Sequence, residues 1–197
     1  ANFRIRNAGK TAEIFIYDTN GPEWLGMISP VMVKDALKSA GAVDLIKVRI
    51  NSDGGDAFDG NAIYNLLKQH RARVEVDIDG LAASIASIIA MAGDEVRMAE
   101  NSMMMVHKPW SSVFGADSDA LRHRADILDQ LESGLVATYA KKTGLSENVI
   151  ADLLAAETWF TAKAAVAHGF ADHVTEDLAI AACGDISRHG YRNIPKE

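Results

Sequence analysis

The chain has 197 residues, 48% hydrophobic and 24% charged, the composition of a globular domain with a sizeable core. Its 27 acidic against 20 basic residues leave a net charge of −7, which disfavours a nucleic-acid surface, and its one cysteine, Cys183, excludes an internal disulfide or a thiolate metal site. The longest apolar run, Leu81 to Ala92, is too short to span a bilayer, and Ala1 to Arg6 lacks the apolar core of a signal peptide, so a cytoplasmic setting is expected.

Short β-rich runs alternate with helical patterns, the signal for repeated strand-helix-strand units and an α/β fold. In chain order, a strand is expected at 13–17, a helix at 30–40, a strand at 46–50 and a helix at 60–72, where Ile63, Leu66 and Leu67 fall at helical spacing. A strand at 74–78 leads into 84–92, which is apolar all round and therefore a helix enclosed by the domain. Strands at 95–98 and 103–106 follow. Over 117–143, Leu121, Ala125, Leu128, Leu131, Leu135 and Tyr139 recur every three or four residues until Gly144, giving one long amphipathic helix whose apolar stripe calls for a partner. Helices at 146–156 and 161–168 finish a single domain over 1–174, and the tail, 175–197, is weakly patterned.

Three segments carry chemistry. A serine hydroxyl is a weak nucleophile at neutral pH and needs an adjacent base, itself oriented by a third group. Ser84 closes Gly80-Leu81-Ala82-Ala83-Ser84 where a strand ends and the enclosed helix begins, and His107 follows in Met105-Val106-His107-Lys108-Pro109, twenty-three positions later (107 − 84). Ahead of both, Asn51-Ser52-Asp53-Gly54-Gly55 follows a strand, and its two glycines expose backbone N–H groups where an oxyanion could be held. Each segment also has a blander reading: a helix cap for Ser84, a structural imidazole for His107 and an ordinary turn for Gly54-Gly55. Ser87 reads as a packed hydroxyl, and Met103-Met104-Met105 as core filling. His168 and His173 flank Asp172 without further ligand spacing, so neither a metal nor another cofactor is called for. The chain has no Gly-x-x-x-x-Gly-Lys-Ser/Thr loop with which to hydrolyse ATP itself.

In this order the segments resemble the proteolytic subunit of the Clp protease, whose pattern runs Asn-Ser-Pro-Gly-Gly, Gly-x-Ala-Ala-Ser and Met-x-His-x-Pro. The likeness covers roughly residues 13–174. Within that family, Glu157-Thr158-Trp159-Phe160-Thr161-Ala162, then Gly169-Phe170-Ala171-Asp172, and the short stretch between Ser84 and His107 are most similar to the proteases of phage and prophage head-assembly modules. The resemblance implies a spiral of strand-helix-strand units with a projecting handle helix at about 117–143, shared with the crotonase-like enzymes, and assembly into a homo-oligomeric ring. It implies a serine endopeptidase with Ser84 as nucleophile, His107 as base and Glu157 as acid, standing where the family usually carries Asp, with Asp172 in reserve. Gly55 and Ile85 would donate the oxyanion N–H groups, while Gly54, Lys108 and Trp110 would bracket an extended peptide. Asp53 stands where the family usually has Pro, which loosens the turn or makes the mouth of the site more acidic. The expected substrates are scaffold or capsid proteins, in the cytoplasm or in an assembling prohead. The alternatives are a degradative subunit partnered by a Clp-type ATPase, a crotonase-like enzyme acting on CoA thioesters, and a non-catalytic ring subunit.

Overall fold

In a computed structural model of the chain, the described residues are 3–25, 27–176, 191 and 193, with the side chain of Trp24 left aside. Most of the expected tail, including Cys183 and His189, lies outside them. Among the described residues eight strands form one sheet: β1 (Phe3–Ala8), β2 (Thr11–Ile16), β3 (Leu45–Ser52), β4 (Arg73–Ala83), β5 (Glu95–Ala99), β6 (Met103–Val106), β7 (Thr158–Thr161) and β8 (His173–Thr175). The main path runs β1-β2-β3-β4-β5-β8, antiparallel only at the β1–β2 hairpin, while β6 leaves this path to pair with β4 and, antiparallel, with β7. Parallel neighbours need crossovers, and α1 (Pro30–Ala40), α2 (Ala57–Lys68) and α3 (Ile85–Ala90) supply them.

The sheet buries one face. Along β3 the side chains of Ile46, Val48 and Ile50 are fully buried while Lys47 and Arg49 between them are not, the alternation expected of period two. Each such aliphatic burial stabilises by roughly 1.5–3 kcal/mol. The opposite face is laced with ion pairs: Arg49 with Asp79, and Arg97 with Asp77, Glu75 and Glu95. Asp79 also accepts a short hydrogen bond from Tyr17, whose phenol is pushed up to about 12 by burial and then by that carboxylate. Asp77 and Asp79 are thus committed to this charged face.

Strand β4 forks, and the fork makes the site. Its register with β3 runs evenly to Ile50↔Ile78 and then jumps to Ser52↔Ala82, so extra residues around Gly80 are looped out of the ladder. Asn51 Oδ1 accepts the N–H of Leu81 there at 3.1 Å. Below the jump β4 pairs with β5; above it, Leu81, Ala82 and Ala83 pair with Met103, Met104 and Met105 of β6. The top of β4 is thereby turned toward β6 and β7.

α2 starts at Ala57 because Asp56 caps it, its carboxylate accepting from the N–H groups of Phe58 and Asp59; the expectation of a start at 60 overlooked this cap. α4 (Ser118–Thr143) runs from the Asp117 cap to Gly144. Only Leu135, Val136 and Tyr139, in its last third, reach the core, whereas Leu121 near its start is 49% exposed. α5 (Glu147–Ala155) and α6 (Ala162–Ala167) return the chain around β7. No helix among the described residues is long and apolar enough to cross a membrane.

Candidate active site

Ser84 follows the last residue of β4 and precedes the first of α3, with φ 54° and ψ −128°. A non-glycine residue rarely adopts positive φ, and among the described residues only Ser84 and Glu157, with φ 50°, do so. Such backbone costs on the order of 1–3 kcal/mol per residue and persists only where surrounding contacts impose it. At Ser84 the contact is a hydrogen bond from its N–H to the carbonyl of Met105, 2.9 Å, which carries the β4–β6 pairing through the turn. The side chain makes no helix-capping bond, which removes the capping reading. Instead Ser84 Oγ lies 2.7 Å from His107 Nε2. A hydroxyl that donates to Nε2 leaves the ring proton of the neutral imidazole on Nδ1.

Glu157 reaches the same place through β7. The antiparallel register pairs Met105 with Trp159 and Val106 with Thr158, and Glu157 immediately precedes Thr158, as His107 immediately follows Val106. The Glu157 carboxylate is buried, with the residue 7% exposed, and one oxygen accepts the N–H of Asn193 at 2.6 Å. Asp172 sits elsewhere. It accepts from the N–H of Val96 and from Lys142 Nζ, beside a strand whose Val96 pairs with Val76, eight residues before Ser84 on β4 and so roughly 20 Å or more down the strand. Burial would raise its pKa, but the Lys142 and Val96 hydrogen bonds outweigh that and hold it below the usual carboxylate range.

The glycine segment comes in from the end of β3. Gly54 has φ 106° and touches the serine closely enough that a Cβ there would lie 2.7 Å from Ser84 Cβ and 2.8 Å from the Ala83 carbonyl oxygen. Its own N–H donates to Ser52 Oγ and its carbonyl accepts from Asn20, so Gly54 serves the site by close approach rather than by free backbone groups. Gly55, φ 131°, forms a parallel bridge with Asn20 through the Gly54 carbonyl and the Asp56 N–H. In extended backbone successive residues turn their polar groups to opposite edges, which sends the Gly55 N–H away from Asn20. Ile85 is the first residue of α3, where an N–H has no acceptor within the helix. Asp53, the departure from the family pattern, is buried and accepts from Thr19 Oγ1 at 2.8 Å. Its carboxylate is thus bonded to Thr19.

A cleft of about 440 Å³ is lined by Ser84, His107 and Gly55, together with Trp110 and with Ile127, Leu128 and Leu131 of α4. Trp110 is 59% exposed at its rim. Lys108 turns its ammonium to Glu132 of α4, 2.9 Å away. Two tail residues that sequence reasoning passed over also belong here. Tyr191 places its ring edge-on to His107, with centroids 5.3 Å apart, and donates its hydroxyl to the Asp53 carbonyl, and Asn193 bonds to Glu157 as described. No local pattern marks them, because what recruits them is the ends of β3, β6 and β7, distant in the chain, that they contact. Among the described residues no cluster of histidine, cysteine and carboxylate side chains could hold a metal ion.

A serine on a strained strand-to-helix turn, bonded to a histidine from the neighbouring strand, within a largely parallel α/β sheet, defines a class: folds built around nucleophilic hydrolase chemistry. The chain belongs to the Clp protease family, which it matches over residues 7–177. The ATP-dependent Clp protease proteolytic subunit of Lobularia maritima is 32% identical over 127 residues, 64% of this chain and 65% of that protein, so the match spans a little under two thirds of the relative's length. A ClpP1 mutant from Listeria monocytogenes shares the fold with a TM-score of 0.74 at 21% identity, over 84% of this chain and 91% of that one.

Proposed function

We propose that the protein is a serine endopeptidase acting through Ser84, His107 and Glu157. The observation that carries this is the 2.7 Å contact between Ser84 Oγ and His107 Nε2, made from a strained backbone conformation at the serine. His107 Nε2 takes the hydroxyl proton as Oγ bonds to the scissile carbonyl carbon, and Glu157 stabilises the resulting imidazolium. The negative charge moves to the carbonyl oxygen, met by the N–H groups of Gly55 and Ile85. Collapse breaks the C–N bond, the imidazolium returns its proton to the leaving amine, and an acyl-enzyme remains on Ser84. Water, deprotonated by His107, repeats the sequence and frees the acid. Each missing oxyanion donor typically costs 10²–10³ in turnover. An extended peptide lies in the cleft beside the Gly55 edge, with Trp110 at its rim.

The substrates are scaffold or capsid proteins cut at a few sites during head maturation in a phage or prophage, within a homo-oligomeric ring. The segments 157–162 and 169–172 support this narrower reading. The name of the Lobularia maritima relative favours a second, an ATPase-partnered subunit that degrades unfolded chains. A fluorophosphonate should label Ser84 alone, once per chain, and Ser84→Ala should abolish labelling; labelling that survives the substitution overturns the peptidase assignment. Incubation with the neighbouring scaffold or capsid protein, without ATPase or ATP, should give discrete fragments. Short peptides that appear only with a Clp-type ATPase and ATP would transfer the protein to the second reading. A crotonase-like enzyme would keep thioester activity after Ser84→Ala.

A further inference from the structure

Behind the nucleophile, on the side away from the cleft, runs a second chain of hydroxyls. Ser87 is fully buried and its Oγ lies 2.5 Å from the carbonyl oxygen of Ser84, 3.2 Å from that of Met105 and 2.7 Å from the hydroxyl of Tyr139. Tyr139 is itself 2% exposed and comes from the buried last third of α4. Hydrogen counting fixes the direction. Ser87 has one proton and the two carbonyls can only accept, so Tyr139 must donate to Ser87, and Ser87 donates to Ser84. The reverse arrangement would leave the closest contact, at 2.5 Å, without a proton. Burial pushes the Tyr139 phenol far above its ordinary value, so it remains a donor at any working pH.

We propose that Ser87 and Tyr139 are positioning residues that lock the backbone of Ser84, so that α4 sets the aim of the nucleophile. The carbonyl they hold belongs to the peptide unit whose N–H is that of Ile85, so fixing one end of that unit fixes the direction of the oxyanion donor at the other. The Met105 carbonyl accepts the Ser84 N–H at 2.9 Å and the Ser84 carbonyl accepts the Ser87 hydroxyl, so the serine backbone is held on both sides of its strained Cα. A buried polar pair serving stability alone would need only to satisfy itself. Here it ends on the Ser84 carbonyl, which also accepts the Ser87 N–H at 3.0 Å and shares its peptide unit with the Ile85 N–H.

The inference rests on the Ser84 peptidase reading, and its test separates the two. Saturation kinetics of fluorophosphonate labelling give kinact and KI without requiring the natural substrate. Tyr139→Phe should lower kinact about tenfold and Ser87→Ala roughly 10–30-fold, both with KI unchanged, since neither residue touches the cleft. The double variant should be no slower than Ser87→Ala, because the two act as one chain. If Tyr139→Phe fails to fold, Ser87→Ala carries the test alone. Wild-type kinact in the folded variants, with only a lowered melting temperature, would show a purely structural pair and overturn the inference, as would multiplicative losses or a change confined to KI. A wild-type chain that does not label would remove the peptidase reading and this inference with it.

Discussion

Gly54→Ala tests whether the glycine segment and the nucleophile are held at contact distance. The new Cβ would lie 2.7 Å from Ser84 Cβ, 2.8 Å from the Ala83 carbonyl oxygen and 3.3 Å from Ser84 Oγ. Carbon atoms in ordinary contact sit about 3.5–4.0 Å apart, so Ser84 must retreat by roughly 0.8 Å or more. Its Oγ is 2.7 Å from His107 Nε2, and a shift of that size takes the pair out of hydrogen-bond range. Misplacement by about 1 Å costs on the order of 10² in rate. Separately, an L side chain at φ 106° strains the backbone, by about 1–2 kcal/mol. The expected result is a fall of about 10² in fluorophosphonate kinact together with a lowered melting temperature. Gly41→Ala is the control: its φ is also positive, 68°, but nothing lies within 4 Å of the new Cβ, so it should lose stability and keep kinact. A Gly54→Ala protein that labels within threefold of the wild-type rate would refute the contact.

Glu157→Gln should reduce turnover by about 10⁴, as loss of the orienting acid does in other triads, while Asp172→Asn leaves it within a few-fold; the reverse ranking in steady-state assays would move the acid to Asp172. Asp172 has a lowered folded-state pKa, so its contribution to stability is present above the usual Asp value of about 4 and is lost as pH falls through the folded value. Melting temperatures of wild type and Asp172→Asn should therefore differ above about pH 5 and converge toward pH 2, and a constant gap would contradict the Lys142 clasp. For assembly, sedimentation should show a particle several times the mass of one chain, reduced by Leu121→Glu, which alters an exposed apolar position of α4. Leu135→Glu is unsuitable there, because Leu135 is buried within its own subunit. A monomeric wild type at micromolar concentration would count against the ring.

The elements legible in the sequence were those whose signal is local. α1 was found at its observed bounds because Ser29 caps it, Pro30 starts it and Gly41 ends it, all within the segment. The central strands declared themselves by aliphatic runs, and Ser84 and His107 by short motifs at strand ends. β1 and β7 were not legible. β1 alternates Arg4 and Arg6 with half-buried Phe3 and Ile5, an edge pattern that only its partner β2 makes into a strand, and β7 is four residues given their register by β6. The site divides in the same way. Local chemistry named the serine, the histidine and the glycines, because each needs a particular residue at a turn. That Glu157 precedes the strand paired with the one before His107, that Asp172 is clasped by Lys142, and that Tyr139, Tyr191 and Asn193 bond or stack where they do were decided by pairing across the chain. Contacts of such separation leave no periodicity or spacing to read, since each partner is chosen by the geometry of the other and by the jump in β4 that turns its end toward β6.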